Sequence, residues 1–124
     1  MTKVKFSRKN GRFVAVECSG HSDYAEHGMD IVCAALSSVI QTAVLGLMQV
    51  AGIGVGYEVD EEKGYLKATL PKDVSPSQAH DADVILKTAY LGASDLYEQF
   101  SDYINVVKSL SLQYAAIKDC SHTP

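Results

Sequence analysis

The chain is predicted to be an α+β domain, with two β-hairpins and a last strand forming a mainly antiparallel sheet against two long helices, in the order ββαββαβ. Three features of the sequence predict this. Lys3 to Arg8 alternates apolar with polar side chains and runs into Asn10-Gly11, the φ > 0 pair of a tight hairpin. Val39 to Ile53 is an apolar stretch of helical length, and Ser75-Pro76-Ser77-Gln78 is a capping box with proline at the first helical position.

Size and charge limit what such a domain can be. A chain of 124 residues with 47% hydrophobic and 21% charged residues is one domain able to bury a real core, and too apolar to be disordered. Its formal net charge of −4 provides no electrostatic footprint for nucleic acid or an anionic membrane, so neither is expected as a direct partner. MTKVKFSRKN lacks the apolar core of a signal peptide, and a cytoplasmic location is expected. Val39 to Ile53 is interrupted by Gln41, Thr42 and Gln49, which reads as a buried helix too short and too polar to span a bilayer. The cysteines Cys18, Cys33 and Cys120 are odd in number and widely spaced, so they form neither a disulfide framework nor a CxxC knuckle.

Taken in order, the second strand runs from Arg12 to about Ser19, with Val14, Val16 and Cys18 on one face and Phe13, Ala15 and Glu17 on the other. Gly20 ends it, and His21 to Met29, with no periodicity and with Gly28, reads as a loop. Asp30 is placed as the N-cap of a helix from Ile31 to about Ala51, stopped by Gly52, with Cys33, Ser37 and Gln41 as its weakly polar stripe. Val55, Tyr57 and Val59 pair with Leu66, Ala68 and Leu70 across a turn at Glu61 to Gly64. After the capping box, Ala82, Ile85, Ala89, Ala93, Leu96 and Phe100 recur at helical spacing, and Ile104 to Leu112 is expected to be the last strand.

Chemistry concentrates at the junction of strand and helix. A thiol in the first turn of a helix faces unsatisfied amides and the positive end of the macrodipole, so Cys33 is expected to ionise readily, with nearby amides available to an oxyanion. His21, at the strand end, can fold back as base toward the thiol and as acid toward a leaving amine, making a Cys-His dyad. Plainer readings exist for each residue. A cysteine at the start of a buried helix is often a small core hydrophobe, and Asp30 is first of all a cap. Ser37 can serve only close packing, and His27, Asp23 and Glu26 can simply solvate a loop. The spacings among Cys18, His21, His27 and Cys33 match no common zinc site, and no metal or cofactor is expected.

The string GHSDYAEHGMDIVCAALSS resembles the signature of the ribosomal-processing cysteine protease family, Prp, in which a Gly-His pair precedes an aspartate, two apolar residues and the cysteine. The element order, EKGYLKATL at Glu62 to Leu70, and Phe100 to Ile104 are similar as well, so the likeness extends from about Val4 to Leu112. Residues 113–124, with Cys120, run past the usual family end, which divides the chain into a protease domain at 1–112 and a tail expected to be poorly ordered.

The resemblance implies a cytosolic cysteine endopeptidase that removes the N-terminal extension of large-subunit ribosomal protein number twenty-seven, cutting after a pair of phenylalanines and so supporting ribosome assembly. It implies Cys33 as nucleophile, His21 as general base, and Gly20, Asp30 and Ser37 as supporting positions. Asp30 could orient His21, cap the helix, or do both. The partners implied are the precursor ribosomal protein as peptide substrate and a second copy in a homodimer. The competing class is a non-enzymatic ribosome-associated binding module using the basic first hairpin, against which the acidic charge balance argues.

Overall fold

The computed structural model describes residues 2–19, 27–62, 64–100 and 104–110, with 27–31 and 104–110 described by backbone course. Its elements are β1 (Thr2–Lys9), β2 (Arg12–Ser19), α1 (His27–Leu45) continued by a π-helical turn (Gly46–Val50), β3 (Gly56–Asp60), β4 (Tyr65–Thr69), α2 (Pro76–Gln99) and β5 (Ile104–Leu110). The α+β class and the expected order hold.

The strands form one five-stranded sheet in the order β3-β4-β2-β1-β5. Both hairpins and the β2–β4 pair are antiparallel, while β5 lies parallel to β1 with Thr2 opposite Ile104. That parallel edge follows from α2, which carries the chain from β4 over β2 and β1 to the far side of the sheet. The turn residues behave as their chemistry dictates: Asn10 and Gly11 both have positive φ, and Gly52 ends the α1 helix at φ 67°. Ser75 and Gln78 exchange the two capping-box hydrogen bonds, at 3.1 and 3.0 Å.

One face of the sheet is covered and builds the core. Val4, Phe6, Phe13 and Val16 from the sheet meet Leu36, Ile40 and Leu47 from the first helix and Leu86, Tyr90 and Ala93 from α2. Phe6 sits edge-on to Phe13 and to Tyr90, at centroid distances of 5.7 and 5.4 Å, arrangements that add roughly 0.5–1.5 kcal/mol each beyond area burial. The helices come close at Gly92, where an added Cβ would lie 3.3 Å from Val39 Cγ1.

Three local expectations are corrected. Strict alternation on β2 fails because the register slips between Ser7↔Ala15 and Arg8↔Phe13, a bulge that takes Val14 out of the pairing. Phe13 therefore joins Val16 in the core, and its amide donates to Asp83 Oδ1 on α2 at 2.8 Å. The helix begins at His27 rather than Ile31, so Asp30 lies inside its first turn and does not cap it. No apolar periodicity marks those added residues, because a turn propagated from a packed helix needs no buried face of its own. Val32–Val50 is, by length and composition, long and apolar enough to cross a membrane, contrary to the sequence reading. Here Val32, Leu36, Ile40, Ala43, Val44 and Leu47 are buried within the core, as in the core helix of a globular domain.

Candidate active site

The helix periodicity positions Cys33. Val32, Leu36 and Ile40 form the buried stripe of α1, and the neighbouring stripe of Cys33, Ser37 and Gln41 grades from half-buried to exposed. Cys33 thus sits half-buried at the seam between helix and sheet. The space at that seam is a cavity of about 330 Å³. Its helix wall is Cys33, Ala34, Ser37 and Ile40, its sheet side carries Thr2, Cys18 and Leu66, and Val59, Asp60, Glu61 and Tyr65 line it as well. The lining is mainly apolar with a few polar groups, the composition of a small-ligand or side-chain pocket.

Within this cavity Thr2 Oγ1 lies 3.0 Å from Cys33 Sγ. Thr2 is only 4% exposed, and it sits at the start of β1 on the same face as Val4 and Phe6. Cys18 faces the cavity from β2, and its thiol is pushed up from its ordinary 9.0 to about 11, first by burial and then by the charge of Cys33. At neutral pH Cys18 is therefore a protonated, weakly nucleophilic thiol. Ser37 Oγ, one turn beyond Cys33, accepts a hydrogen bond from Gln41 Nε2 at 2.7 Å.

The earlier helix start changes the electrostatic argument. Cys33 is the seventh residue of α1, so it lies a turn deeper than the reach of the helix-end charge, and its amide belongs to the helix ladder rather than to the unsatisfied first turn. The amides free to meet an oxyanion are those around His27 to Met29. Asp30 is in the helix one turn before Cys33. His21 and Gly20, and the loop expected over 21–26, lie outside the described residues, as do Cys120 and the tail beyond Leu110.

The structure accordingly brings Cys33 and Ser37 to one cavity and adds Thr2 and Cys18, which the sequence reading did not assign to the site. Period-two alternation from Val4 and Phe6 points Thr2 inward, and that signal could have found it. Among the described residues, no group of three or more His, Cys, Asp or Glu side chains could hold a metal ion.

Fold and cavity define a class, a small α+β domain that presents a helix cysteine, Cys33, to a mainly apolar cleft. The family model described as "Cysteine protease Prp" matches residues 1–105, and the chain belongs to that family. It is thus a cysteine peptidase. The ribosomal processing cysteine protease Prp of Bacillus subtilis (strain 168) is 25% identical over 97 residues, covering 78% of this chain and 87% of that relative. Among solved structures, SMU.848 from Streptococcus mutans superposes with a TM-score of 0.79 at 28% identity, over 90% of this chain and 96% of that one. The essential ribosomal processing protease Prp from S. aureus, in complex with a substrate peptide, gives a TM-score of 0.77 at 22% identity, covering 88% of this chain and all (100%) of that one. The last likeness is one of fold.

Proposed function

We propose that this peptidase removes the N-terminal extension of large-subunit ribosomal protein number twenty-seven, cutting after an aromatic residue, with Cys33 as nucleophile and His21 as general base. The observation that carries the reading is the position of Cys33 at an apolar cleft, in a chain of the Prp family. In this mechanism His21 takes the thiol proton and the Cys33 sulfur attacks the scissile carbonyl carbon. Collapse of the tetrahedral intermediate breaks the C–N bond, and His21 returns the proton to the departing amine. Water, deprotonated by His21, then hydrolyses the thioester and frees the carboxylate and the thiol. The position of His21 in the Gly20-His21 motif supports its role, and Asp30 and Ser37 on α1 serve as supporting positions. The apolar lining from Ile40, Val59 and Leu66 suits an aromatic side chain beside the bond.

The test is incubation with the precursor ribosomal protein and mass spectrometry of the products. A product shortened after an aromatic pair, absent with Cys33→Ala, is expected; an intact precursor with folded wild-type protein overturns the assignment of substrate. The reaction belongs in the cytoplasm, where ribosomal proteins are made. A homodimer fits the exposed Val84 and Leu91 on α2. Light scattering that gives a single-chain mass across the micromolar range would refute the dimer.

A further inference from the structure

A hydroxyl buried in an apolar core is destabilising unless it finds a partner, and Thr2 is one of two buried polar residues among those described. Its partner is the sulfur of Cys33, at 3.0 Å. Two neighbours keep Thr2 in place. Lys3, the next residue, pairs with Ser19 on β2, and Thr2 itself pairs with Ile104 on β5. The hydroxyl is therefore carried by an ordered strand, whereas Cys33 is carried by a separate helix, and their contact ties the two elements together at the cleft.

We infer that Thr2 is a positioning residue for the reaction: its Oγ–H donates to the Cys33 sulfur, holds it in one rotamer at the cleft, and stabilises it when it carries negative charge. A neutral donor suits this task. It stabilises the charged sulfur without bringing a group that could take up the thiol proton, and so leaves proton transfer to the base. Hydrogen bonds to ionised acceptors are the strong ones, and this contact is part-buried, with Thr2 itself almost fully covered. Among the described residues, the other titratable groups around the cavity are Cys18 from β2, Asp60 and Glu61 at the end of β3, and Tyr65 from β4.

The role rests on Cys33 being the nucleophile, so the test reads the sulfur directly as well as cleavage. The full chain is prepared as wild type, Thr2→Val, which keeps the shape and removes the hydroxyl, and Thr2→Ser, which restores it. Alkylation of Cys33 by iodoacetamide is followed site by site by mass spectrometry. At pH 7, Thr2→Val is expected to react about tenfold more slowly than wild type, as the loss of one hydrogen bond to a charged group predicts. The gap should close as the pH is raised toward 10, because ionised sulfur then no longer limits the rate and the unbonded thiolate is the better nucleophile. Thr2→Ser should stay within about threefold of wild type. In peptide cleavage, Thr2→Val should lower kcat with little change in KM.

Equal alkylation rates for wild type and Thr2→Val at pH 7 would overturn the inference. So would a Thr2→Val deficit that persists unchanged to pH 10, which would mean altered access or packing. If Thr2→Val fails to fold by circular dichroism, Thr2→Ala replaces it with the same expected and overturning results. Failure of the wild type to cleave any peptide would instead refute the proposed reaction and leave the alkylation result standing.

Discussion

Cys18 on β2 and Cys33 on α1 open into the same cavity, and burial together with the charge of Cys33 pushes the Cys18 thiol up to about 11. Two cysteines a short distance apart are thus chemically unlike. In the native protein at pH 7, iodoacetamide is expected to modify Cys33 at least about ten times faster than Cys18, since alkylation follows the thiolate. Peptide mapping after brief labelling checks this, and preferential labelling of Cys18 would reverse the assignment of the nucleophile.

The raised Cys18 value also makes a statement about stability. Between pH 9.0 and about 11 the unfolded chain has lost the Cys18 proton while the folded chain keeps it, so the unfolded state gains and stability falls as pH rises through that window. The contribution is on the order of 2 kcal/mol by linkage. Urea midpoints measured at pH 8 and pH 11 for wild type and Cys18→Ala should show a steeper fall for wild type. Parallel falls would remove Cys18 as a source of that pH dependence.

The dyad is tested by substitution. Cys33→Ser should abolish cleavage with the fold intact, and His21→Ala should lower turnover by about two to four orders of magnitude, the range expected for general acid–base catalysis. His27→Ala should be mild beside it. A dead His27→Ala with an active His21→Ala would move the base to the start of α1.

No metal takes part in the proposed chemistry. Cleavage should survive EDTA and stop on alkylation of Cys33; activity lost to a chelator and restored by zinc would support a metal-dependent reaction instead.

Asp83 holds the β2 bulge by accepting the Phe13 amide at 2.8 Å, and Lys87 Nζ lies 3.8 Å from its second oxygen. Asp83→Ala leaves a partly buried N–H without its partner, which is expected to destabilise the fold by about 1–3 kcal/mol. Lys87→Ala, which removes the exposed partner of a long i,i+4 ion pair, should cost under about 1 kcal/mol. Urea unfolding of the two variants separates them, and equal losses would deny the bulge its anchor.

Much of the architecture is legible in local chemistry. The Asn10-Gly11 turn, the Ser75-to-Gln78 capping box, the Gly52 stop and the pairing of Tyr57 and Val59 with Ala68 and Leu66 are each set by a few neighbouring residues, and each occurs as read. The Cys33-Ser37-Gln41 stripe was likewise readable, because a helix of 3.6 residues per turn places every fourth residue on one side. Where the reading failed, distant contacts decide. Phe13 turns inward because the β2 bulge can be stabilised by Asp83, seventy positions away in the chain, and no alternation pattern records that. The first turn of α1 forms without an apolar signal because the rest of the helix is already packed.

The sequence by itself determined the class of fold, the hairpin turns, the Ser75 cap of α2 and, through one compact motif, the cysteine and histidine to ask about. Only the tertiary structure decided what stands beside the cysteine. Thr2 and Cys33 are thirty-one residues apart and come within 3.0 Å because the start of β1 and the early part of α1 meet at one cavity. Cys18 joins them because β2 is the antiparallel partner of β1, with Cys18 opposite Val4. Local patterns specify the faces that elements present, since those depend on backbone geometry within a few residues. Which faces meet is settled by packing and pairing across the whole chain, and that is where the neighbours of a reactive sulfur are chosen.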